Sequence, residues 1–372
     1  MLEVVDRHPH ARAVLRAAVP PEGAPSHAYL FHGPAGAGKR EAARAFAAEL
    51  LAEGASDPVN ARRRVVEGVH PDFTWVKPSG AAEMLVSDID EPVVAAITRT
   101  PFEARRRVFV VEGADTMNDQ AANKMLKTLE EPPPFAHLVL LTDKPGNILP
   151  TIASRCQLVR FEAATHEELS QRLQTKHGVP PLTADACARL ALGDAERALA
   201  LALGEGPALR DAAERYARAA LHSTLAERPH VTLLDQARAR GDAAATGVAA
   251  QIAGDAELLP DREAKRLKRE GETAGKRAHR RAYAASLDHG LQLVALWLRD
   301  VACAKDGVPE LIHHSDRAEQ VRSDAEASPA TAGRLRDAVG LVETTRTTFI
   351  LNPSEELALE ALASKLERAL NA

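Results

Sequence analysis

Aromatic side chains are scarce in this chain: Phe, Tyr and Trp make up 3% of its 372 residues, while Ala, Leu and Arg dominate. That balance favours a largely helical protein. Cysteine is equally thin. Cys156, Cys187 and Cys303 are scattered without paired spacing, which argues against a disulfide framework or a cysteine zinc site and for reduced thiols in a cytoplasmic protein. No apolar run approaches the roughly eighteen residues that a membrane span requires. The opening Met1-Leu-Glu-Val-Val-Asp-Arg7 is charged and lacks the apolar centre of a signal peptide. Nor is there a charge excess to draw the whole chain to nucleic acid or acidic lipid, because the formal net charge is −5. Any DNA contact must be local.

What is present is an ordinary globular composition, 45% apolar and 27% charged, over a length that suggests two or three domains. The first 160 or so residues alternate strand-like and helix-like segments, the pattern of a parallel α/β sheet. Tyr29–His32, Val108–Val111, Leu138–Leu141 and Gln157–Phe161 read as strands. Residues 40–51 read as a helix. So do residues 118–131, with Ala122, Met125, Leu126 and Leu129 on one face and Pro132-Pro-Pro134 as the stop. From Thr165 onward the strand signal vanishes. Gly204-Glu-Gly-Pro207 is a candidate linker, and helices follow to the end. Leu287, Leu291, Val294, Leu298 and Val301 mark one buried face, and Leu359, Leu362, Leu366 and Leu370 another. Asn352 and Pro353 read as the cap and first position of the last helix.

Gly33-Pro-Ala-Gly36-Ala-Gly38-Lys39 matches seven of the eight positions of the phosphate-loop pattern G-x-x-x-x-G-K-[ST]. Gly33, Gly36 and Gly38 allow successive backbone amides to face phosphate oxygens at a helix N-terminus, and Lys39 adds positive charge. A glycine-rich turn between strand and helix is the plainer account of the same residues. The eighth position holds Arg40, whose guanidinium cannot take the place of the hydroxyl that holds Mg²⁺.

Downstream lie Lys127-Thr-Leu-Glu-Glu-Pro-Pro133 and, about twenty residues later, Ser154-Arg-Cys156. In this order and spacing, the three segments resemble the clamp-loader branch of the AAA+ proteins. The likeness is most specific over residues 27–161 and thinner to residue 200. Beyond that it rests on Trp297-Leu-Arg-Asp300 and the terminal Asn352-Pro353…Leu357-Ala-Leu-Glu360. It implies an AAA+ P-loop α/β domain over residues 1–162, a small helical lid over 163–207 and an all-α collar, the oligomerisation domain, over 208–372. It also implies that Arg155 is the arginine presented in trans to the ATP of a neighbouring subunit.

The family pattern wants Asp-Glu after the third strand, and this chain has Glu112-Gly113, so the base that polarises water is missing. Hydrolysis by this chain is therefore not expected. No cofactor is required, although ATP or ADP is compatible with the loop as a non-hydrolysed ligand. Thr142 occupies the first sensor position and is equally well a strand-end hydroxyl. Arg197 lies where the lid's sensor arginine would be and is equally well a surface charge.

The family often carries a four-cysteine zinc module before its His-Pro-Asp segment. Here Asn60-Ala-Arg-Arg-Arg64 precedes His70-Pro-Asp72, so no metal is expected and His70 reads as structural. Residues 261–281 hold nine Arg or Lys against four Asp or Glu. A solvated helix face accounts for them better than a phosphate-tracking surface, since no aromatic interleaves to stack on bases.

The leading expectation is a non-hydrolytic stator of a bacterial DNA polymerase III clamp loader. Its partners would be motor ATPase subunits and the clamp-opening subunit, with the sliding clamp and primed DNA met through the complex, and no membrane. The alternatives are an ATP-hydrolysing motor subunit of the same family and an unrelated P-loop kinase or NTPase.

Overall fold

The computed structural model describes residues 5–19, 23–79, 83–257, 260–349 and 354–371. Two compact units emerge, Met1–Ala164 and Thr165–Ala372. The expected order, a parallel-sheet P-loop domain followed by helices alone, is the order the chain adopts.

In the first unit the elements run α1 (Pro9–Ala18), β1 (Ala28–His32), α2 (Lys39–Ala52), α3 (Pro58–Glu67), β2 (Phe73–Val76) and α4 (Val86–Ile89). They continue through β3 (Arg107–Glu112), α5 (Asp119–Glu130), β4 (Ala136–Thr142), α6 (Pro150–Ala153) and β5 (Gln157–Arg160). The strands form one sheet in the order β2-β3-β4-β1-β5, every pair parallel. Side chains alternate across it, as strand geometry requires. Tyr29, Phe31, Val108, Val110, Val139 and Leu141 join Leu15, Phe46, Leu50 and Val65 on one face. Leu30, Phe109, Val111, Leu138 and Leu140 join Ile89, Met125, Leu129 and Ile152 on the other. Burial on both faces is why these strands are continuous apolar runs rather than alternating ones.

Because β1 lies between β4 and β5 while β2 lies at the far edge, the chain leaving β1 starts at a reversal of strand order. Crevices at the carboxyl ends of strands beside such reversals are where α/β sheets bind ligands. The loop at residues 33–38 sits there.

The second unit contains α7 (His166–His177), α8 (Pro181–Leu190), α9 (Ala195–Ala202), α10 (Gly206–Leu221) and the long pair α11 (Pro229–Glu257) and α12 (Asp261–Lys305). It ends with α13 (Ala318–Ala327), α14 (Ala332–Thr348) and α15 (Glu355–Asn371). Gly204–Pro207 is a tight turn rather than a spacer: Gly206 begins α10, and a Cβ there would meet the Ala200 carbonyl oxygen at 2.1 Å. The stripe Leu287, Leu291, Val294, Leu298 and Val301 is buried, as are Leu359, Leu362, Leu366 and Leu370. Asn352 and Pro353 fall outside the described residues. Among the described residues, no helix is long and apolar enough to cross a membrane.

One buried carboxylate in this unit is held by several donors. Asp324 accepts from Trp297 Nε1 at 3.0 Å and Arg218 Nε at 3.1 Å, with His222 Nε2 at 2.9 Å. Residues 261–281 occupy the first part of α12, and Arg262, Lys265, Lys268, Arg269, Lys276 and Arg277 are exposed.

Candidate nucleotide site and trans-acting arginine

The phosphate loop takes its shape from two glycines. At Gly33 φ is +147° and a Cβ would lie 2.2 Å from the Phe161 carbonyl oxygen, so no side chain fits. Gly38, at φ +88°, turns the chain left-handed just before Lys39 begins α2. Lys39 is buried to 7% side-chain exposure. Its Nζ donates to the Gly33 carbonyl at 2.7 Å and the Pro34 carbonyl at 2.6 Å, and pairs with Asp143 Oδ1 at 2.6 Å. An ammonium has three protons, and here three acceptors inside the protein receive them. Asp143 follows Thr142 at the end of β4 and presents a carboxylate to the lysine that the pattern reserves for phosphate.

The metal position is filled in the same manner. Arg40 Nε donates to Glu112 Oε1 at 2.7 Å, and the other carboxylate oxygen accepts from Trp75 Nε1 at 2.9 Å. Lys77 Nζ lies 3.8 Å from that oxygen. With a guanidinium in place of the hydroxyl and the carboxylate engaged by cations, the donor set does not fit Mg²⁺. Gly113 next to it, at φ +70°, has a backbone conformation that L residues rarely adopt, and it offers no base.

Thr142 is buried. Its Oγ1 donates to Asp115 Oδ1 at 2.8 Å and accepts from the Lys144 amide at 2.9 Å, which ties the end of β4 to the turn after β3. The fold thus gathers Gly33, Gly36, Gly38, Lys39, Arg40, Glu112, Asp143 and Thr142 around the carboxyl ends of β1, β3 and β4. Arg197 belongs to the second unit, where its amide donates to Asp194 Oδ1 at 3.0 Å and its Nη1 to Gln292 Oε1 at 2.5 Å.

Arg155 follows α6, a single turn that begins on Pro150. Its Nη1 donates to the Thr151 carbonyl at 3.0 Å and its Nη2 to Glu130 Oε1 at 2.7 Å, with the arginine side chain 36% exposed. Among the described residues, no hydrogen bond or ion pair joins it to the chain's own phosphate loop. Glu130 belongs to Leu129-Glu-Glu-Pro-Pro133, so the two sequence motifs are joined by one ion pair. Burial pushes the thiol of Cys156 up to about 12, so this cysteine packs rather than reacts.

His70 is buried, with Nδ1 accepting from the Asp72 amide at 3.1 Å and Nε2 3.2 Å from Glu103. Asp72 itself accepts from the amides of Phe102, Glu103 and Ala104, which folds the strap before β3 onto the sheet. Sequence reading missed Asp143 and Glu130 as partners of the two key cations. Their only signals were position: Asp143 next to the strand-end threonine, and Glu130 inside the acidic-proline motif.

Comparison with known proteins bears on this first unit. The family model described as DNA polymerase III, delta subunit, matches residues 9–165. The DNA polymerase III subunit delta' of Pseudomonas aeruginosa is 40% identical over 136 residues, 35% of this chain and 42% of that protein. The subunit delta' of Bacillus subtilis is 35% identical over 156 residues, 40% of this chain and 46% of that one. The chain thus spans less than half the length of these relatives. A crystal structure of a DNA polymerase III gamma subunit-related protein from Thermotoga maritima aligns over 97% of this chain and 99% of its own, at 17% identity and a TM-score of 0.41. Over residues 9–165, its N-terminal, P-loop unit, the chain is similar to the delta-subunit family of DNA polymerase III and to bacterial delta' subunits.

Proposed function

We propose that this chain is a stator of a replicative clamp loader: it does not hydrolyse ATP and lends Arg155 to the ATP site of an adjoining motor subunit. One observation carries the reading. The two cations of its own site are neutralised within the chain, Lys39 by Asp143 and Arg40 by Glu112, and Arg155, paired with Glu130 and partly exposed, lies outside that site in Ser154-Arg-Cys156. In the proposed arrangement, residues 163–207 act as the lid and 208–372 as the collar that meets the other subunits. Primed DNA and the sliding clamp are reached through the assembly.

The mechanism is electrostatic. A guanidinium aimed at a γ-phosphate from across a subunit boundary offsets charge that grows as the bond to the β-phosphate breaks, an effect worth roughly 10³–10⁵ in rate. Glu130 and the Thr151 carbonyl hold the arginine in one pose, and such ordering beforehand reduces the entropy lost when it docks. Without a hydroxyl at position 40 or a base at position 113, the home site supplies neither metal nor activated water.

The test is the DNA- and clamp-stimulated ATPase of the reconstituted loader with Arg155→Ala in this chain. A fall of about two orders of magnitude or more at the adjoining site, with assembly intact, is expected. Unchanged turnover refutes the trans-acting arginine. Magnesium-dependent turnover by the isolated chain, abolished by Lys39→Ala, would instead make it a motor.

A further inference from the structure

Three metal-ligating side chains meet in the helical unit, remote in sequence from the phosphate loop. His230 stands at the second position of α11, while Glu356 and Glu360 are one turn apart on α15; one ligand atom from each lies within 4.8 Å of the other two. His230 is 4% exposed, and among the described residues its Nε2 is buried without a hydrogen-bond partner. That nitrogen lies 3.4 Å from Glu360 Oε1. Arg228 faces the same carboxylates, with Nη2 3.0 Å from Glu356 Oε1 and 3.4 Å from Glu360 Oε1.

One guanidinium against two carboxylates leaves a negative charge over. It also offers nothing to the neighbouring imidazole nitrogen, since a guanidinium has no acceptor and the ion pairs run to oxygen. A buried ring nitrogen without a partner is a costly arrangement unless something fills the gap. The geometry points to a divalent transition-metal site of the zinc class, formed by His230 Nε2, Glu356 and Glu360, with Arg228 turning outward when the ion binds.

Each ligand contributes a physical reason. Imidazole selects zinc, cobalt or nickel over magnesium and calcium, which prefer oxygen donors alone. The two carboxylates supply charge, and their spacing of four residues keeps them on one helix face. In a tetrahedron with bonds of about 2.1 Å, ligand atoms stand about 3.4 Å apart, the separation already present between His230 and Glu360. Three protein ligands leave a fourth position for water. The Arg228 side chain is 59% exposed, so displacing it to solvent loses only a surface ion pair. The bound ion would fasten the start of α11 to α15. The expectation of no metal was drawn from the cysteine-free segment before His70 and did not consider these residues.

The experiment uses the full chain, stripped of metal by chelator and dialysis. It is titrated with Zn²⁺ against a chromophoric competitor and, separately, with Co²⁺ followed by visible absorption. One equivalent is expected with a Kd on the order of 1 μM, together with the d–d spectrum of low-coordinate cobalt. His230→Ala and Glu360→Gln should each weaken binding about tenfold or more, and Arg228→Ala should tighten it. His177→Ala, at an exposed histidine at the end of α7, should change nothing. Glu360→Gln is nearly isosteric, so it reports on ligation even if the histidine variant unfolds. Absence of saturable binding, or equal binding by wild type and Glu360→Gln, overturns the site. In that case, His230 and Glu360 make only a 3.4 Å polar contact.

Discussion

Replacing Asp143 with Asn removes the anion that holds Lys39 while preserving shape. Lys39 is almost fully buried, whereas the Asp143 side chain is 52% exposed. An exposed pair is worth about 0–1 kcal/mol, and breaking a buried one costs about 3–5 kcal/mol. With one partner in each environment and two carbonyls still bound to the ammonium, about 1–2 kcal/mol is a fair value. An incoming phosphate must displace Asp143 before it can use the lysine, so that energy is a penalty on nucleotide binding. Removing it should tighten ADP binding by about 5–30-fold. The assay is titration of the isolated chain with a fluorescent ADP analogue in the presence of EDTA, so that metal plays no part. Lys39→Ala should abolish the gain. If Asp143→Asn binds ADP no better than wild type while melting normally, the carboxylate is not an internal phosphate substitute, and the account of the loop is wrong.

Glu130→Ala removes a pair whose members are 36% and 50% exposed, so it should change unfolding free energy by less than about 1 kcal/mol. The same variant in the reconstituted loader should lower ATPase less than Arg155→Ala does. Asp324→Ala leaves the buried Trp297 indole donor without its acceptor, while the partly exposed Arg218 keeps Glu214, and should cost about 1–3 kcal/mol in a urea titration. His137 gives a pH signature. Burial pushes its imidazole down to about 4, against an ordinary value near 6.5, so the folded state holds the neutral ring. Its contribution is whole above pH 6.5 and is lost as pH falls toward 4. His137→Gln should therefore remove about 2–3 kcal/mol from the difference in unfolding free energy between pH 7 and pH 4.5.

The strands read most reliably from sequence were those with continuous apolar runs, Val108–Val111 and Leu138–Leu141, and each proved one or two residues longer at its ends. β2 went unread because Thr74 and Trp75 are only half-buried on an edge strand, which blunts the apolar signal. The π-helical turn at Asp90–Ala95 was illegible for another reason. Pro92 lies inside it, and proline in a sequence usually argues for a break rather than a widened turn.

At the candidate site, the glycines, Lys39, Arg40 and Glu112-Gly113 were readable because each concerns a local pattern. The Lys39–Asp143 and Arg155–Glu130 pairs were not. A charge partner more than twenty residues away is chosen by the fold, and one carboxylate looks like another in a string of letters. His230 with Glu356 and Glu360 is the extreme case, since it joins residues far apart in sequence, on α11 and α15.

The length of α12, 45 residues, sets how motion can travel in the helical unit. At about 1.5 Å per residue it measures roughly 68 Å, and a tilt of about 5° at its packed end would displace the other by about 6 Å. Its half from Leu287 onward lies among buried aliphatics. Toward Asp261, buried positions are few, and α11 is its main neighbour. Such a rod behaves as a nearly one-dimensional stack, in which each turn is secured by the turns beside it. Amide exchange should therefore slow progressively from the hairpin end toward Trp297, so that one helix records both the loosest and the most secure backbone of its unit.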